Sequence, residues 1–416
     1  MSTWTARWHT AGIPMRACPS SRAPSLLQSP QHPAPPHWQH VARECIAPSG
    51  RGLRGGMRCL QHEAALALGA GVASAAIARR RHCGSWLGQR TAARGVATEA
   101  ALPTGLTLVD GNACLHAAFY GTSNAGLTNL DGQPTGAVFT FMQSLRRLQR
   151  DLRSSHFAVM MDERLEKVER KLEYPEYKGN RKECPKDLAL QFAKAREACD
   201  ALGVPWRSAV GWEADDLIAT FTWEASKDCD VHIISSDKDL TQLVNSRVWL
   251  HNHPRNMANA MDCQGVKKRW GVEPHQMGDL LALSGDSADN LPGVPGIGPK
   301  KAAALIQRHG TLQQILGAAQ AGSIDVPGIG PRLLLNLQQY AEQASQMHEL
   351  VKLRVVPNLD AAAFRTDFLL AERNQQWLDR AREFCLQENM QKLARELSAE
   401  YEAAQSDVVG QVSVAH

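Results

Sequence analysis

Three short apolar runs each end in acidic residues, and this pattern constrains the fold more than any other feature of the 416-residue chain. Leu106–Asp110 (LTLVD) is the first and Phe157–Asp162 (FAVMMD) the second. The third, Val231–Ser235 (VHIIS), runs on into Asp237 and Asp239. Between them the apolar period changes from continuous to helical: Val138, Phe141, Met142, Leu145 and Leu148 make one stripe across Ala137–Arg150. Leu188–Leu202 and Asp215–Trp223 read as further helices, and Val204–Trp206 as an additional short strand. Strands alternating with helices predict an α/β fold, with a largely parallel sheet and helices on both faces. Ligands of such sheets gather beyond the carboxyl ends of the strands, which is where these acids fall.

The charge is unevenly spread. Residues 1–98 hold twelve Arg, no Lys and only Glu44 and Glu63 as acids, a net charge of +10. The remainder carries 34 basic against 40 acidic residues, net −6. An Arg-, Ala- and Ser-rich, acid-poor leader has the composition of a mitochondrial or chloroplast transit peptide, and GQRTAARGVAT (Gly88–Thr98) resembles the end of one, with a lean to the mitochondrion. A basic tail that stays attached and touches nucleic acid is the other reading of the same residues. Ala64–Ala78 is apolar but too short and small-residued to span a bilayer, and nothing after it approaches a membrane span. Four of the ten Cys lie in the leader and no C-x-x-C pair occurs, which argues against a zinc site or a disulfide framework and suits a reducing compartment.

The acids recur in pairs: Glu213 with Asp215, Asp237 with Asp239, and Asp286 with Asp289, alongside Asp110, Asp162 and Asp216. Two carboxylates about 4 Å apart repel by roughly 4 kcal/mol at an effective dielectric near 20. Gathering eight without counter-ions would protonate several of them. Hard divalent cations with oxygen ligands remove the conflict, and they also activate water for hydrolysis. Read one at a time, these acids are equally well explained as helix caps and surface charges.

Asp110 in LVDGN, Asp162, Glu213–Asp216 (EADD), Ser236–Asp239 (SDKD) and Gly285–Asn290 (GDSADN) resemble, in order and rough spacing, the 5′-nuclease family. That family includes the N-terminal nuclease domain of bacterial DNA polymerase I and phage flap endonucleases. The likeness runs from about Leu106 to about Leu359, taking in Thr128–Ala137 (TNLDGQPTGA) and Tyr174–Arg181 (YPEYKGNR). It implies an α/β, PIN-like 5′-nuclease core on a mixed, mostly parallel central sheet flanked by helices, with a helical arch and a helix-three-turn-helix module. It also implies two metal ions, Mg2+ or Mn2+. Asp110, Asp162, Glu213 and Asp215 would hold the first, supported by Asp216; Asp237, Asp239, Asp286 and Asp289 would hold the second. By the same likeness Lys178, Arg181 and Arg170, in the charge-dense excursion Arg164–Lys186, would serve catalysis by contacting the scissile phosphate, and Tyr177 would meet DNA. Two positions depart from the family: Ala117 replaces an Arg, and Glu169 an aromatic, which puts the grip on a 5′ phosphate in question while leaving the acids intact.

Past Leu280 the texture changes to small helices joined by Gly-Pro turns. Leu291–Lys301 (LPGVPGIGPKK) has the form of a helix-hairpin-helix, in which Gly293, Gly296 and Gly298 let backbone N–H groups approach a phosphate. Lys300 and Lys301 add charge that is blind to base sequence. The resemblance further implies that carbonyls of this hairpin hold K+. A second turn, Val326–Pro331 (VPGIGP), echoes the first, and packing or a second phosphate contact explains it equally well. His251 and His253 read as solvated residues of a polar loop, Trp212 and Trp223 as packing, and Leu333–Leu337 as core.

The expected organisation is a leader over 1–98, a catalytic core over 99–279 with its arch at about 164–187, a hairpin module over 280–370 and a polar helical tail over 371–416. No polymerase region is expected after it. The expected activity is 5′→3′ exonuclease and flap endonuclease cleavage of DNA at 5′ flaps, nicks, 5′ ends and RNA-primed strands, by a monomer serving organellar replication and repair beside other such factors. A nuclease acting mainly on RNA is a variant of this reading. A non-catalytic protein that binds branched DNA is the alternative from a different class, and Ala117 suits it.

Overall fold

The computed structural model describes residues 104–122, 126–163, 168–252, 254 and 259–414. The leader over 1–98, His253 and the start of the excursion at 164–167 lie outside the described residues. Five strands, β1 (Leu106–Asp110), β2 (His156–Met160), β3 (Trp206–Arg207), β4 (Val231–Ile234) and β5 (Val248–His251), form one sheet in the order β3-β2-β1-β4-β5. Every pairing between them is parallel, and antiparallel pairing is confined to isolated bridges such as Leu250 with Met261. Among the described residues the five strands thus make the mostly parallel sheet that was expected, with antiparallel contacts only at those bridges. Chain order runs outward from β1 to β3 and then returns to the other side of β1, so the switch point falls between β1 and β4.

Residue types explain the layers. β1 is buried along its whole length, as a strand covered on both faces must be. On one face Leu106, Leu108, Val231 and Ile233 pack with Leu217, Ile218 and Phe221 of the helix α5 (Ala214–Ala225), and this core continues into the C-terminal module through Leu280, Val294, Leu305 and Leu337. On the other face Val109, Val159 and Ile234 pack with α1 (Gly111–Thr122), α2 (Gly136–Leu152) and α4 (Lys186–Leu202). A short helix, α3 (Glu169–Glu173), precedes α4.

The C-terminal residues form more than a polar tail. Trp377, Leu378, Ala381, Phe384 and Cys385 line one side of the helix Gln375–Gln387 and are buried against α4 and its neighbours. Trp377 Nε1 donates to Leu202 O at 2.8 Å, and Leu393 and Leu397 extend the same seam. A polar outer face hides an amphipathic period of 3 and 4 in the sequence.

β5 and His251 also differ from expectation. His251 closes the edge strand and is only 2% exposed, rather than solvated. Its Nε2 lies 3.0 Å from Nδ1 of His232 on β4, and burial pushes its imidazole down to about 4, so a neutral ring replaces the expected solvated one. Trp212 packs against the core and Trp223 is partly exposed, in line with packing roles.

Candidate metal centre

Each acid is delivered by a different local device. Asp110 is the last residue of β1, and the chain turns at once into α1. Gly111 permits this turn, because a Cβ there would sit 2.5 Å from the Met161 sulfur. Asp110 Oδ1 accepts from Ala113 N at 2.8 Å, and Oδ2 accepts from Ser235 Oγ at 2.7 Å, tying β1 to the end of β4. Asp162 follows β2, and its Oδ1 accepts from Ala214 N at 2.7 Å at the start of α5. Glu213 caps α5, with Asp215 and Asp216 in its first turn, where the positive end of the helix favours carboxylates. Ser235 Oγ also receives Asp237 N, and Asp237 Oδ1 receives Asp239 N, which curls the SDKD segment over the strand ends.

Asp286 and Asp289 arrive from the C-terminal module on a closed hairpin. Asp286 and Leu291 exchange both backbone hydrogen bonds at 2.8 Å. Gly285 and Gly293 stand back to back below it: Gly285 has φ +77, and a Cβ on Gly293 would lie 2.3 Å from the Ser284 carbonyl carbon. Gly293 thus serves backbone packing rather than facing phosphate as its place in the motif suggests. Gly296 (φ +83) is needed for its turn and lies against Leu333. Gly298 has negative φ, and a Cβ there would meet no protein atom within 4 Å, so it alone of the three stays open at the start of the helix Pro299–His309. Lys300 is exposed there, whereas Lys301 is partly buried and its Nζ folds back on Gly296 O at 3.0 Å. The helix after the second turn, Pro331–Gln339, packs on the first turn, Asn336 Nδ2 donating to Pro295 O at 2.8 Å.

The excursion docks onto this hairpin instead of standing free. Lys178 N donates to Asp289 O at 2.9 Å, Asn180 Nδ2 to Ser287 O at 2.7 Å, and Asn290 Nδ2 to Glu176 O at 2.8 Å. Lys178 and Asn290 both hold left-handed backbone, at φ 54 and φ 59, a conformation that costs energy for a residue with a Cβ and marks a constrained site. The result is a buried Lys178 whose ammonium meets Glu213 Oε1 and lies 3.7 Å from Asp289 Oδ2. Arg181 Nη2 donates to Asp289 Oδ1 at 2.6 Å and keeps 42% of its side chain exposed, so it reaches from the acids to solvent.

Three expected site residues take other places. Tyr177 is buried, and its hydroxyl donates to Glu213 Oε2 at 3.0 Å and Asp289 Oδ2 at 3.2 Å, so it bridges acids and offers no exposed ring to DNA. Asp216 is fully buried and turned away from the other acids: its oxygens accept from Arg170 at 2.5 and 2.7 Å and from Arg354 N at 2.9 Å. Arg170 spends its remaining donors on Glu213 Oε2, Leu350 O and Lys352 O, which leaves none pointing outward. These two residues form a support beneath Glu213.

The remaining acids are mutually strained. Burial, then the neighbouring Asp162, pushes Asp110 up to about 7, against the pull of Ser235 and Ala113. Burial and then Glu213 raise Asp162; burial and then Asp237 and Asp110 raise Asp215 well above the carboxylate range. Asp237 is raised by burial and by Asp289, and Asp239 well above its usual range by burial, Asp237, Asp289 and Asp286. Glu213 and Asp289 are exceptions. Burial presses both upward, but Lys178 with Arg170 on Glu213, and Lys178 with Arg181 on Asp289, outweigh it and hold them low.

This donor set suits a cation. Among the described residues, Asp239, Asp286 and Asp289 bring one carboxylate oxygen each within 4.8 Å of one another. Asp239 Oδ1 is buried with no hydrogen-bond partner, an orphaned acceptor that a metal would satisfy. All the donors are carboxylate oxygens, the choice of a hard divalent ion. Among the described residues, Asp110, Asp162, Glu213 and Asp215 face one another electrostatically without their oxygens gathering as closely, and Glu213 is held by Lys178, Tyr177 and Arg170.

The supporting residues are not evident from the sequence. Ser235 links Asp110 to Asp237, Lys238 Nζ lies 2.7 Å from Asp286 Oδ1, and Asn112 Oδ1 accepts from Asp162 N at 3.1 Å. Each lies inside or beside one of the acidic motifs, so adjacency to the acids is the one signal they carry.

The same boundary between strand-end acids and hairpin acids appears in comparison with known proteins. A family model described as the 5′-3′ exonuclease N-terminal resolvase-like domain matches residues 105–271, and one described as the 5′-3′ exonuclease C-terminal SAM fold matches residues 272–373. The chain belongs to the 5′-3′ exonuclease family. Exonuclease-family relatives include the DNA polymerase I of Rhizobium leguminosarum, 38% identical over 61% of this chain and 25% of that protein. Another is the DNA polymerase I of Deinococcus radiodurans, 38% identical over 56% of this chain and 24% of that protein. The chain thus spans about a quarter of the length of these curated relatives. Solved structures similar to it include T5 5′-exonuclease with bound zinc (21% identity, TM-score 0.49, 71% of this chain and 99% of that one). The catalytic core of Rad2 in complex with DNA substrate is another (15% identity, TM-score 0.45, 73% and 94%).

Proposed function

We propose that this member of the 5′-3′ exonuclease family hydrolyses phosphodiester bonds in DNA as a divalent-metal-dependent 5′→3′ exonuclease and flap endonuclease. The observation that carries the reading is the convergence of acids from the carboxyl ends of β1, β2 and β4 and from the Asp286–Asp289 hairpin, with Lys178 and Arg181 held over them. Such a density of raised carboxyls is unfavourable without bound cations and useful with them.

Asp239, Asp286 and Asp289, joined by Asp237, would hold one Mg2+ or Mn2+, and Asp110, Asp162, Glu213 and Asp215 a second. Bound there, the ions would supply Lewis-acid stabilisation of phosphate charge and an activated water. Arg181, partly exposed beside Asp289, is the group best able to meet an incoming phosphate; Lys178 holds a buried positive charge against Glu213 that would help offset phosphate charge at the centre. Arg170 and Asp216 hold the Glu213 end of α5 rigid. The open Gly298 turn with Lys300 and Lys301 suits the sugar-phosphate backbone of a duplex, without reading bases. K+ on the hairpin carbonyls is part of the same proposal.

The proposal extends to place: the acid-poor, Arg-rich residues 1–98 act as an organellar transit peptide, with mitochondrion preferred to chloroplast, and the enzyme removes primers and flaps there as a monomer. The deciding experiment incubates the purified chain with a labelled 5′-flap duplex, with and without Mg2+. Metal-dependent release of the flap is expected; tight flap binding without cleavage in Mg2+ or Mn2+ would replace the enzyme with a branched-DNA binder.

A further inference from the structure

The acid centre contains two ammonium groups of different freedom. Lys178 is 5% exposed, pinned through its own backbone N–H to Asp289 O, and in a constrained left-handed conformation. Lys238 stands between Asp237 and Asp239 in the SDKD segment. Its Nζ lies 2.7 Å from Asp286 Oδ1, and 34% of its side chain is exposed. Asp286 is also one of the three acids whose oxygens lie within 4.8 Å of each other. One ammonium therefore occupies the face of the position where the donor geometry best fits a cation, and its stem has a path to solvent.

We propose that Lys238 is an exchangeable internal counter-ion: its ammonium neutralises Asp286 in the metal-free protein and swings out when a divalent ion takes Asp239, Asp286 and Asp289. The inference rests on the metal-dependent reading given above. A single ammonium satisfies the trio only in part, since Asp239 Oδ1 keeps no hydrogen-bond partner beside it. A divalent ion puts two charges at one point and uses that orphaned oxygen. Breaking the Lys238–Asp286 pair opposes metal entry, so the lysine weakens metal affinity while it keeps the empty centre from repelling itself apart. Lys238 is in this sense a positioning residue, and its effect falls on metal loading.

Mn2+ titration of the full chain by calorimetry, without DNA, tests this directly. Lys238→Met is expected to bind Mn2+ about twofold to fivefold more tightly than the natural chain, the change that follows from deleting one partly exposed ion pair. Its melting temperature should fall without metal and return to the natural value with Mn2+. Lys238→Arg, which keeps the charge, should bind Mn2+ like the natural chain. Lys238→Gln removes the charge but keeps a hydrogen-bond donor, carries the same expectation as Lys238→Met, and serves if the latter folds poorly. Unchanged or weaker Mn2+ binding by the neutral variants overturns the counter-ion role alone. Failure of the natural chain to bind Mn2+ overturns the metal-dependent reading itself, so the two failures are told apart.

Discussion

Arg170 and Asp216 meet as a bidentate pair, Nη1 2.5 Å from Oδ2 and Nη2 2.7 Å from Oδ1, with Arg170 4% and Asp216 0% exposed. Removing one partner of a buried pair leaves the other uncompensated and costs about 3–5 kcal/mol. Asp216→Ala should therefore lower stability by about 3 kcal/mol or more, measured by denaturant unfolding. Mn2+ binding per folded molecule should stay intact, because Asp216 faces away from the other acids. Loss of Mn2+ binding at full stability would return Asp216 to the ligand set.

Asp237 lies between the two groups of acids and is raised by both burial and Asp289. Asp237→Asn should lower the rate of flap cleavage by roughly 10²–10³, because it weakens the hold on an ion that would stabilise transition-state charge. Flap affinity, measured in Ca2+ by fluorescence anisotropy, should change by less than about threefold, because duplex contacts lie elsewhere. Cleavage at the natural rate would reject the site.

The pH dependence of stability has a definite sign. Asp110, at about 7, lies above its unfolded value, so its folded form binds a proton more tightly; its contribution is present at acid pH and is lost as pH rises from about 4 to about 7. Asp162, Asp215, Asp237 and Asp239 shift the same way. Glu213 and Asp289 are held low and act oppositely, losing their contribution only as pH falls below about 4. A divalent ion must displace the protons on the raised carboxyls. The rise in melting temperature on adding Mn2+ should accordingly grow between about pH 5.5 and about pH 8, and a pH-independent rise would contradict the assignment.

The glycines of the hairpin separate stability from binding. Gly293→Ala drives a Cβ to 2.3 Å from backbone and should destabilise the chain by more than about 2 kcal/mol. Gly298→Ala meets no protein atom and should leave the melting temperature nearly unchanged while weakening duplex binding severalfold. Equal effects of the two on folding would remove the reason for placing DNA at Gly298.

The central strands are legible in the sequence because LTLVD and VHIIS are unbroken apolar runs, and the acids are legible because they sit in pairs at strand ends and turns. β5 is not, since its VWLH carries a histidine that is buried only because His232 meets it across the sheet. Nor can charge alone separate Asp215 from Asp216. The two are adjacent in the first turn of α5, yet about 100° apart around the helix axis, so one faces the centre and the other faces Arg170. Tyr177 is hidden for a related reason: an aromatic in a charged loop resembles a stacking platform until the loop is seen docked, with its hydroxyl on two carboxylates.

The docking of Lys178 on Asp289 has a consequence for how the chain is made. Asp110, Asp162 and the SDKD segment precede residue 272, whereas Asp286 and Asp289 follow it, and the Tyr177–Asn180 turn is held by that later hairpin as well as by Glu213. A polypeptide still emerging from its ribosome therefore lacks two of the gathered carboxylates, and the backbone anchor of Lys178, until Asp289 has been synthesised.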